Sequence, residues 1–391
     1  MQLRNLGAAL AALVLVSSAG ADIENDLRTV LKFGPRVTGS PANEQARSYL
    51  EAQFRALGYD TRREAFSYPR FDDLGSDLRQ GNQTLSGRAL EGSTGGEVRA
   101  RAVRVPGVGT PEDFRAVNVR GQVAVVARGQ LSFLQKAKNA LAAGAAGLII
   151  VNNEAKELQG RFGERVALPV LAVTSTTGAA LRDGQALELR VRVRDGEVRG
   201  VNVVAFKSGV ARPELLFGAH MDSVFRAPGA NDNLSGTVAV LELARRAVNT
   251  PLAARSFYVL FDGEEDGLRG SRAFVQAHAP LVQGLKAMFN FDMVGVNVTP
   301  LNVTGERRLV ETARQVAGLP GSFPADSGSD QVPFDQAGVP TLFFHRGLDA
   351  NYHQPGDTLA DPALIRGAVD AALSIADVVL KASVPAGHSG P

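Results

Sequence analysis

The chain has 391 residues, of which 45% are hydrophobic, and its formal net charge is +2. This composition is typical of a globular protein with room for more than one domain, and it excludes a largely disordered chain. Although the isoelectric point is about 9.0, the sequence has no Lys/Arg-rich run of the kind that binds nucleic acids. It also has no cysteine, so disulfides and thiolate metal ligands are excluded.

The first residues predict an export signal. Arg4 precedes an apolar stretch that ends in Ala19, Gly20 and Ala21, which fit an A-x-A cleavage site. The stretch is short for a transmembrane helix; an uncleaved anchor or a buried helix is the alternative. We expect a signal peptide over residues 1–21, a secreted or periplasmic mature protein, and no stable membrane association after cleavage.

The next part of the chain predicts two helices and a strand. Apolar residues recur at helical spacing over 23–33 and 43–57, and Gly58 is a natural residue to end the second helix. A Gly/Pro-rich loop, "GPRVTGSPANE", lies between the two helices, and "REAFSY" follows them as a predicted strand.

Residues 76–198 predict a β-rich domain. Short alternating runs such as "VRARAVRV", "GQVAVVAR" and "LELRVRVR" are typical of strands, and "SFLQKAKNALAAGAAG" is the main helical pattern among them. This segment contributes no cluster of histidines and acids, so we expect its role not to be chemical.

From residue 199 onward, apolar strands alternate with helices, the last of them predicted across 361–381. Such alternation predicts an α/β fold with a mostly parallel central sheet and helices on both faces. The last residues, 385–391, are predicted to form a disordered tail.

Histidines and carboxylates follow several of these strands. Because open α/β sheets bind ligands at the carboxyl ends of their strands, we expect these side chains to converge at one edge. Nitrogen and oxygen ligands without sulfur suit zinc or a similar divalent ion, and the candidates outnumber the three protein ligands that one catalytic zinc needs. The pattern therefore favours two ions, whose charge would let so many acids crowd together. The candidates are His220, Asp222, Asp232, Asp292 and His353, with Asp262, Glu264, Glu265 and Asp266 in the run "FDGEEDG".

Five segments carry a resemblance to a known family. In order and spacing, "GAHMDSV", "PGANDNLSG", "FDGEEDGLRGS", "NFDMVG" and "YHQPGDT" resemble the metal-site segments of the M28 family of di-zinc peptidases. The segment "RVTGSPANEQARSYLEAQFRALGYD" looks like the opening of that family's catalytic domain, and "FLQKAKNALAAGAAGLIIVNN" resembles part of the protease-associated (PA) domain inserted in such enzymes. The resemblance implies a zinc exopeptidase-like domain over 22–75 and 199–384, with a PA domain over 76–198.

Carried over position by position, the resemblance implies a ligand set for two Zn²⁺ ions. His220, Asp232 and Asp292 would bind one zinc. Asp232, Glu265 and His353 would bind the other, with Asp232 bridging the two ions.

The resemblance also implies the catalytic roles. Asp222 would orient His220 through the far nitrogen of its ring, and Glu264 would be the general base that takes a proton from a metal-bridging water or hydroxide and passes it to the leaving amine. The family also tends to have a cis peptide bond after the bridging aspartate, here between Asp232 and Asn233.

Other polar residues near these segments are expected to be structural. Asp262 and Asp266 are interpreted as caps or solvated loop charges, and Asp357 as a brace for its loop. Arg269 is interpreted as a surface or packing residue. The remaining histidines match no ligand position and are His278, His345 and His388.

The match is imperfect in one loop. Family members often have a tyrosine shortly before a Ser-Asp-His sequence, and that tyrosine helps to stabilise the tetrahedral intermediate. Here "PADSGSDQVPF" has Ser329 and Asp330, but Gln331 stands where histidine is common and no tyrosine precedes them. The sequence therefore leaves the electrophilic helper unassigned, and Asp330 is expected to support its loop.

The favoured function is that of an exported zinc-dependent exopeptidase, an aminopeptidase that removes N-terminal residues from peptides. Alternatives are a carboxypeptidase of the same family, a glutaminyl-cyclising enzyme on a similar fold, and a non-catalytic receptor or adhesion protein on this scaffold. Side-chain preference, oligomeric state and the role of the PA domain stay open.

Overall fold

The computed structural model describes residues 22–323 and 328–382. The predicted signal peptide, 1–21, and the predicted tail, 385–391, lie outside these residues. The described chain divides into two compact units, one up to Tyr68 and again from Val198, the other Pro69–Glu197.

Helices and strands follow one another along the chain much as the sequence patterns predict. The helices are α1 (22–31), α2 (Pro41–Ala56), α3 (Pro111–Arg115), α4 (Phe133–Ala142), α5 (Ser175–Ala180), α6 (Gly236–Ala247), α7 (Arg269–Ala277), α8 (Ala279–Val282), α9 (Arg307–Ala317), α10 (Gln331–Gln336) and α11 (Pro362–Lys381). The strands are β1 (Asp60–Asp73), β2 (Asp77–Gln80), β3 (Gln83–Ser86), β4 (Arg88–Ala89), β5 (Glu91–Ser93), β6 (Gly96–Arg104), β7 (Val123–Ala127), β8 (Gly147–Val151), β9 (Arg161–Val166), β10 (Val170–Val173), β11 (Ala186–Val191), β12 (Val193–Phe206), β13 (Leu215–His220), β14 (Ser256–Phe261), β15 (Ala287–Phe291), β16 (Asn302–Gly305), β17 (Gly321–Ser322) and β18 (Thr341–His345).

The first unit is built on an eight-stranded sheet in the order β1-β12-β14-β13-β15-β18-β16-β17. Its four central strands, β14, β13, β15 and β18, run parallel, whereas β12 and β16 pair antiparallel with β14 and β18. Parallel strands are joined by crossovers, and helices such as α6 and α7 supply them. The predicted α/β fold with a mostly parallel central sheet is confirmed.

Both faces of this sheet are covered, as predicted. Leu215, Phe217 and Ala219 of β13 belong to one core, which α1, α2, α6, α9 and α11 complete. Leu216, between them in the strand, belongs to a second core with Phe274 of α7 and Phe334 of α10. Because successive side chains of a strand point to opposite faces, this alternation places helices on both sides of the sheet.

The second unit is β-rich. Its main sheet has the order β3-β2-β11-β6-β7-β8-β10-β4, and β5 pairs with β9 separately. Strands β6, β7, β8 and β10 run parallel, with α4 between β7 and β8. The boundary of this unit falls inside β1 and β12, since each strand runs through it without a break.

Within the described residues, no helix combines the length and the apolar character that crossing a membrane requires.

Candidate metal centre

The ends of three neighbouring parallel strands deliver polar side chains to the same edge of the sheet. His220 is the last residue of β13, Glu264 and Glu265 lie in the loop after β14, and Asp292 directly follows β15. Since the carboxyl ends of parallel strands meet at one edge, their loops bring these residues together. The predicted convergence is what the structure contains.

Asp232 reaches this edge on an irregular helical turn, Ala230–Ser235, which precedes α6. The peptide bond between Asp232 and Asn233 is cis. The carboxylate of Asp357 accepts hydrogen bonds from the backbone N–H groups of Asn231 (2.8 Å) and Asp232 (3.0 Å). Asp357 was predicted to brace its own loop; its carboxylate instead braces the turn that carries Asp232.

The candidate ligands form two overlapping groups. Nε2 of His220 lies 3.5 Å from Oδ1 of Asp232 and 3.5 Å from Oδ2 of Asp292. Nε2 of His353 lies 3.2 Å from Oδ2 of Asp232 and 3.0 Å from Oε2 of Glu265. The two carboxylate oxygens of Asp232 therefore face different histidines, which is the arrangement that a bridging ligand requires.

The donor set fits metal ions. Potential ligand atoms of His220, Asp232 and Glu265 all lie within 4.8 Å of one another. Oε1 of Glu265 and Oδ1 of Asp292 are buried and have no hydrogen-bond partner among the described residues. Buried carboxylate oxygens are normally paired with hydrogen-bond donors or cations, so these orphaned atoms favour bound cations. Imidazole nitrogens and carboxylate oxygens without sulfur are a donor set that suits zinc.

Asp222 connects the histidine to the acidic loop. Its Oδ1 lies 3.5 Å from Nδ1 of His220, on the ring edge away from the other carboxylates. The same carboxylate accepts hydrogen bonds from the backbone N–H groups of Glu264 and Glu265, both at 3.2 Å. The fully buried Asp222 therefore holds the backbone of the two glutamates and lies beside Nδ1 of His220, where it could orient that ring.

The two adjacent glutamates point to different partners. Oε2 of Glu265 lies 3.0 Å from His353, whereas Oε2 of Glu264 lies 3.9 Å from His220. Burial raises the pKa of Glu264 well above its ordinary value, against the opposing effect of nearby His220. A buried carboxyl group whose pKa is raised in this way is a candidate for proton transfer.

Charge crowding also shifts the pKa of the other candidate ligands. Burial raises the pKa of Glu265 to about 7, although contact with His353 opposes this. Burial by itself lowers the pKa of His353, but Asp232 and Glu265 outweigh it and raise that pKa to about 10. Without a cation among them, these groups would hold protons that metal binding has to displace.

One prediction about the acidic run is wrong. Asp262 was expected to be a cap or a solvated loop charge, but its side chain is fully buried. It accepts hydrogen bonds from Thr38 (3.0 Å), Asn43 (3.0 Å) and Arg47 (2.7 Å), and from the backbone N–H of Val201 (2.9 Å). The loop that starts at Asp262 is thereby anchored to α2 and to the segment before it.

The remaining polar residues have structural contacts. Asp266 accepts a hydrogen bond from the hydroxyl of Tyr68, and Nε2 of His278 lies 2.9 Å from Glu64. His345 lies 3.4 Å from Asn302, at the end of β18. His388 lies outside the described residues.

Asp330, which was expected to support its loop, has an electrostatic interaction with Ser271 and with residues of the candidate site. It is fully buried at the start of α10, and neither carboxylate oxygen has a hydrogen-bond partner that meets normal geometry among the described residues. Burial raises its pKa to about 7, with the nearby carboxylates Asp222 and Asp292 adding to the shift and His220 opposing it.

Tyr352 is a candidate functional residue that the sequence reasoning did not single out. Its ring stacks on His353 with centroids 3.8 Å apart. Burial raises the pKa of Tyr352, and the carboxylates of Asp232, Glu265 and Asp292 add to the shift, so the phenol keeps its proton beside the site. The signal in the sequence is the place of Tyr352 next to a predicted ligand in "YHQPGDT".

The comparisons with known proteins agree with this geometry. Residues 202–376 match the model of peptidase family M28, and residues 93–181 match the PA domain. The aminopeptidase YwaD of Bacillus subtilis is 30% identical over 353 residues, and the alignment covers 84% of this chain and 77% of YwaD. The chain belongs to peptidase family M28.

Two further similarities extend over most of this M28 chain. A Mycobacterium tuberculosis protein named as a probable lipoprotein aminopeptidase, LpqL, is 31% identical, with 83% of this chain and 76% of LpqL covered. The solved structure of BSAP, a zinc aminopeptidase from Bacillus subtilis, is 26% identical and superposes with a TM-score of 0.71 over 92% of this chain and 96% of that one. The predicted family resemblance and PA domain are confirmed.

The buried network behind the M28 site predicts a large loss of stability in Asp262→Ala. This change leaves the buried guanidinium of Arg47 without its buried carboxylate partner, which typically costs about 3–5 kcal/mol in the free energy of unfolding. The matched control is Asp377→Ala, which removes an exposed ion pair with Lys381 and should cost under about 1 kcal/mol. Urea unfolding measures both, and equal losses would contradict a special role for Asp262.

The raised carboxyl pKa values predict a pH-dependent effect of zinc. The pKa values of Glu265 and Asp330 are about 7 in the fold but would be about 4 in the unfolded chain, so the chelator-treated protein should lose stability as pH rises from about 4 to 7. His353, with its pKa raised to about 10, acts in the same direction above about pH 6.5. Zinc binding displaces these protons, so the gain in melting temperature on adding zinc should be larger at pH 8 than at pH 5.5. A gain that is equal at the two pH values would contradict this prediction.

Proposed function

We propose that this M28 peptidase is an exported zinc aminopeptidase that removes N-terminal residues from peptides. The observation that carries the proposal is the meeting of His220, Asp232, Glu265, Asp292 and His353 at one sheet edge, with Glu264 beside them. The names of the similar proteins, YwaD, LpqL and BSAP, support the same activity.

Two Zn²⁺ ions are the proposed cofactors. His220, Asp232 and Asp292 would hold one ion, and Asp232, Glu265 and His353 the other. When bound, zinc supplies a Lewis acid that polarises the scissile carbonyl and makes water a stronger nucleophile.

Glu264 is the proposed general base. Its pKa is raised by burial, so it accepts a proton from the attacking water and can release that proton again to the leaving amine nitrogen. The backbone N–H of Glu264 is bound to Asp222, which fixes the residue next to the ligand loop without occupying its carboxylate.

Tyr352 is the proposed electrophilic helper. Its phenol stays protonated because burial and the surrounding carboxylates raise its pKa, so it has a proton to donate. Stacking on His353 holds the ring at the edge of the site. We propose that its O–H donates to the carbonyl oxygen of the substrate as that oxygen gains negative charge.

The charge around the site favours an aminopeptidase over a carboxypeptidase. The excess of carboxylates would attract the free α-ammonium group of a peptide. A carboxypeptidase would need a cation to bind the substrate carboxylate, and the buried cation beside these acids, Arg36, donates its guanidinium hydrogen bonds to backbone carbonyl groups. A non-catalytic role is not favoured, because the predicted ligand positions and Glu264 are all filled.

Location outside the cytoplasm is part of the proposal. It rests on the export pattern of residues 1–21. The similarity to LpqL, named as a lipoprotein, supports it.

A direct assay tests the proposed function. Purified protein, dialysed and then supplied with zinc, should hydrolyse peptides with a free N-terminus and leave the same peptides intact when their N-terminus is acetylated. Release of C-terminal residues from the acetylated peptides would establish the carboxypeptidase instead. The matched control is Glu264→Gln, which should lower kcat by about 10²–10⁴-fold and keep its zinc content by elemental analysis. Wild-type turnover in Glu264→Gln would refute the assignment of the base.

A second substitution tests the helper. Tyr352→Phe keeps the aromatic ring that stacks on His353 but removes the O–H group, so kcat should fall by about 10²-fold while zinc affinity and KM stay near those of the wild type. If the tyrosine serves only to pack against His353, the phenylalanine variant will keep full kcat.

A further inference from the structure

Arg36 is a fully buried cation whose guanidinium group is bound to backbone carbonyl oxygens. Its Nε donates to the carbonyl of Met221 at 2.8 Å, and its Nη2 donates to that of Gly229 at 2.8 Å. Its Nη1 donates to the carbonyl of Pro228. The three acceptors belong to one short segment, residues 221–229, and they lie at its two ends.

The backbone of Arg36 is tied to the same segment. Its N–H donates to Oγ of Ser223 at 2.9 Å, and its carbonyl accepts a longer hydrogen bond from the N–H of Ser223 at 3.4 Å. The hydroxyl of Ser223 donates in turn to the carbonyl of Ala227 at 3.0 Å. On its other side, the carbonyl of Arg36 accepts from Nδ2 of Asn43 in α2 at 3.1 Å, so the segment is anchored to a helix.

Segment 221–229 joins two of the candidate ligands. His220 directly precedes it at the end of β13, and Asp232 follows it on the irregular turn. His220 is fixed to the sheet by its strand. The position of Asp232 relative to His220 therefore depends on how the segment folds back as well as on Asp357, and Arg36 is hydrogen-bonded to both ends of the segment.

The segment is tightly packed at Gly229, its C-terminal end. Gly229 has a φ of +66°, and a Cβ atom added there would lie 3.0 Å from Nη2 of Arg36 and 2.4 Å from the carbonyl oxygen of Asp232. The guanidinium group is thus in close contact with the backbone that leads into Asp232.

A role in stability alone does not explain this choice of residue. A buried guanidinium is normally paired with a carboxylate, since the charge costs much to desolvate, and burial lowers the pKa of Arg36 to about 10. Here the hydrogen-bond partners of the guanidinium are carbonyl groups of one segment. Asp222, Asp232 and Asp357 interact with it only through Coulomb attraction, which opposes the lowering of its pKa. The fork of a guanidinium can bind both ends of the segment at once, which the single ammonium of lysine cannot do.

We infer that Arg36 is a positioning residue that sets the spacing between His220 and Asp232 and thereby the affinity of the centre for zinc. The inference rests on the proposed function, because it assumes that this centre binds zinc. The guanidinium hydrogen bonds of Arg36 go to backbone carbonyl groups and not to the candidate ligands, so it acts through the segment that it holds.

Zinc affinity, measured by competition with a chromophoric chelator, tests the inference. Arg36→Lys keeps the positive charge but loses the fork, so zinc should bind about 10–100-fold more weakly, as is typical when residues that support metal ligands are changed. The matched control is Arg245→Lys, whose arginine pairs with Asp26 and Glu242 and is also mostly buried. Both variants should melt at lower temperature than the wild type, but the control should keep wild-type zinc affinity.

A neutral variant separates geometry from charge. Removing a cation from beside a metal site should strengthen zinc binding if simple electrostatics dominated. The positioning role predicts weaker binding in Arg36→Met as well. Tighter binding in Arg36→Met, or wild-type affinity in Arg36→Lys, overturns the inference.

Two further outcomes are decisive. Should Arg36→Lys fail to fold, Ser223→Ala removes only the hydroxyl that links Arg36 to Ala227, and it should show a smaller but measurable loss of zinc affinity; wild-type affinity in this variant overturns the inference. If the wild-type protein binds no zinc, the proposed function fails and the inference fails with it. Failure of the inference alone is recognised by a wild-type protein that binds zinc and variants that bind it equally well.

Discussion

The constraint on which the site depends is the repulsion among carboxylates gathered at one sheet edge. Asp222, Asp232, Glu265 and Asp292 are all within reach of His220 or His353. Like charges in a poorly solvated place repel strongly unless cations or hydrogen-bond donors lie between them. Backbone N–H groups and buried arginines stabilise part of this negative charge. One buried oxygen each of Glu265 and Asp292 has no hydrogen-bond partner among the described residues, and metal ions would stabilise these.

The candidate ligands could be predicted from the sequence because their positions follow from a regular feature. Each of His220, Glu265 and Asp292 lies at or just after the end of an apolar strand, and the parallel order of β14, β13 and β15 brings such ends together. The sheet itself was predictable for the same reason, since buried parallel strands and their helices have strong patterns. The family resemblance then indicated which candidate residues would bind each zinc ion and which would be the general base, since spacing alone does not give these roles.

The residues that the sequence did not reveal act over long separations in the chain. Asp262 looks like a surface acid beside Glu264, and only the contacts with Thr38, Asn43 and Arg47, more than 200 residues away, make it a buried anchor. Arg36 lies in a Gly/Pro-rich loop that carries part of the family resemblance, but its residue types indicate only a turn. The partners of Arg36 are backbone carbonyl groups, which the pattern of side chains does not reveal. Burial of a charge is a property of the packed fold, so local sequence does not indicate it.

The same contacts make residues 36–47 an integral part of the first unit. This segment holds the β13 loop through Arg36 and the β14 loop through its contacts with Asp262, so two of the loops that bear ligands depend on it. The second unit, Pro69–Glu197, is inserted between this segment and the strands that carry the candidate ligands. It is connected through β1 and β12, which are neighbours at one side of the central sheet. An insertion at that point separates the anchor from the loops in sequence while leaving β14, β13 and β15 adjacent. The chain can therefore carry a second unit while the strands that bear its candidate ligands stay adjacent.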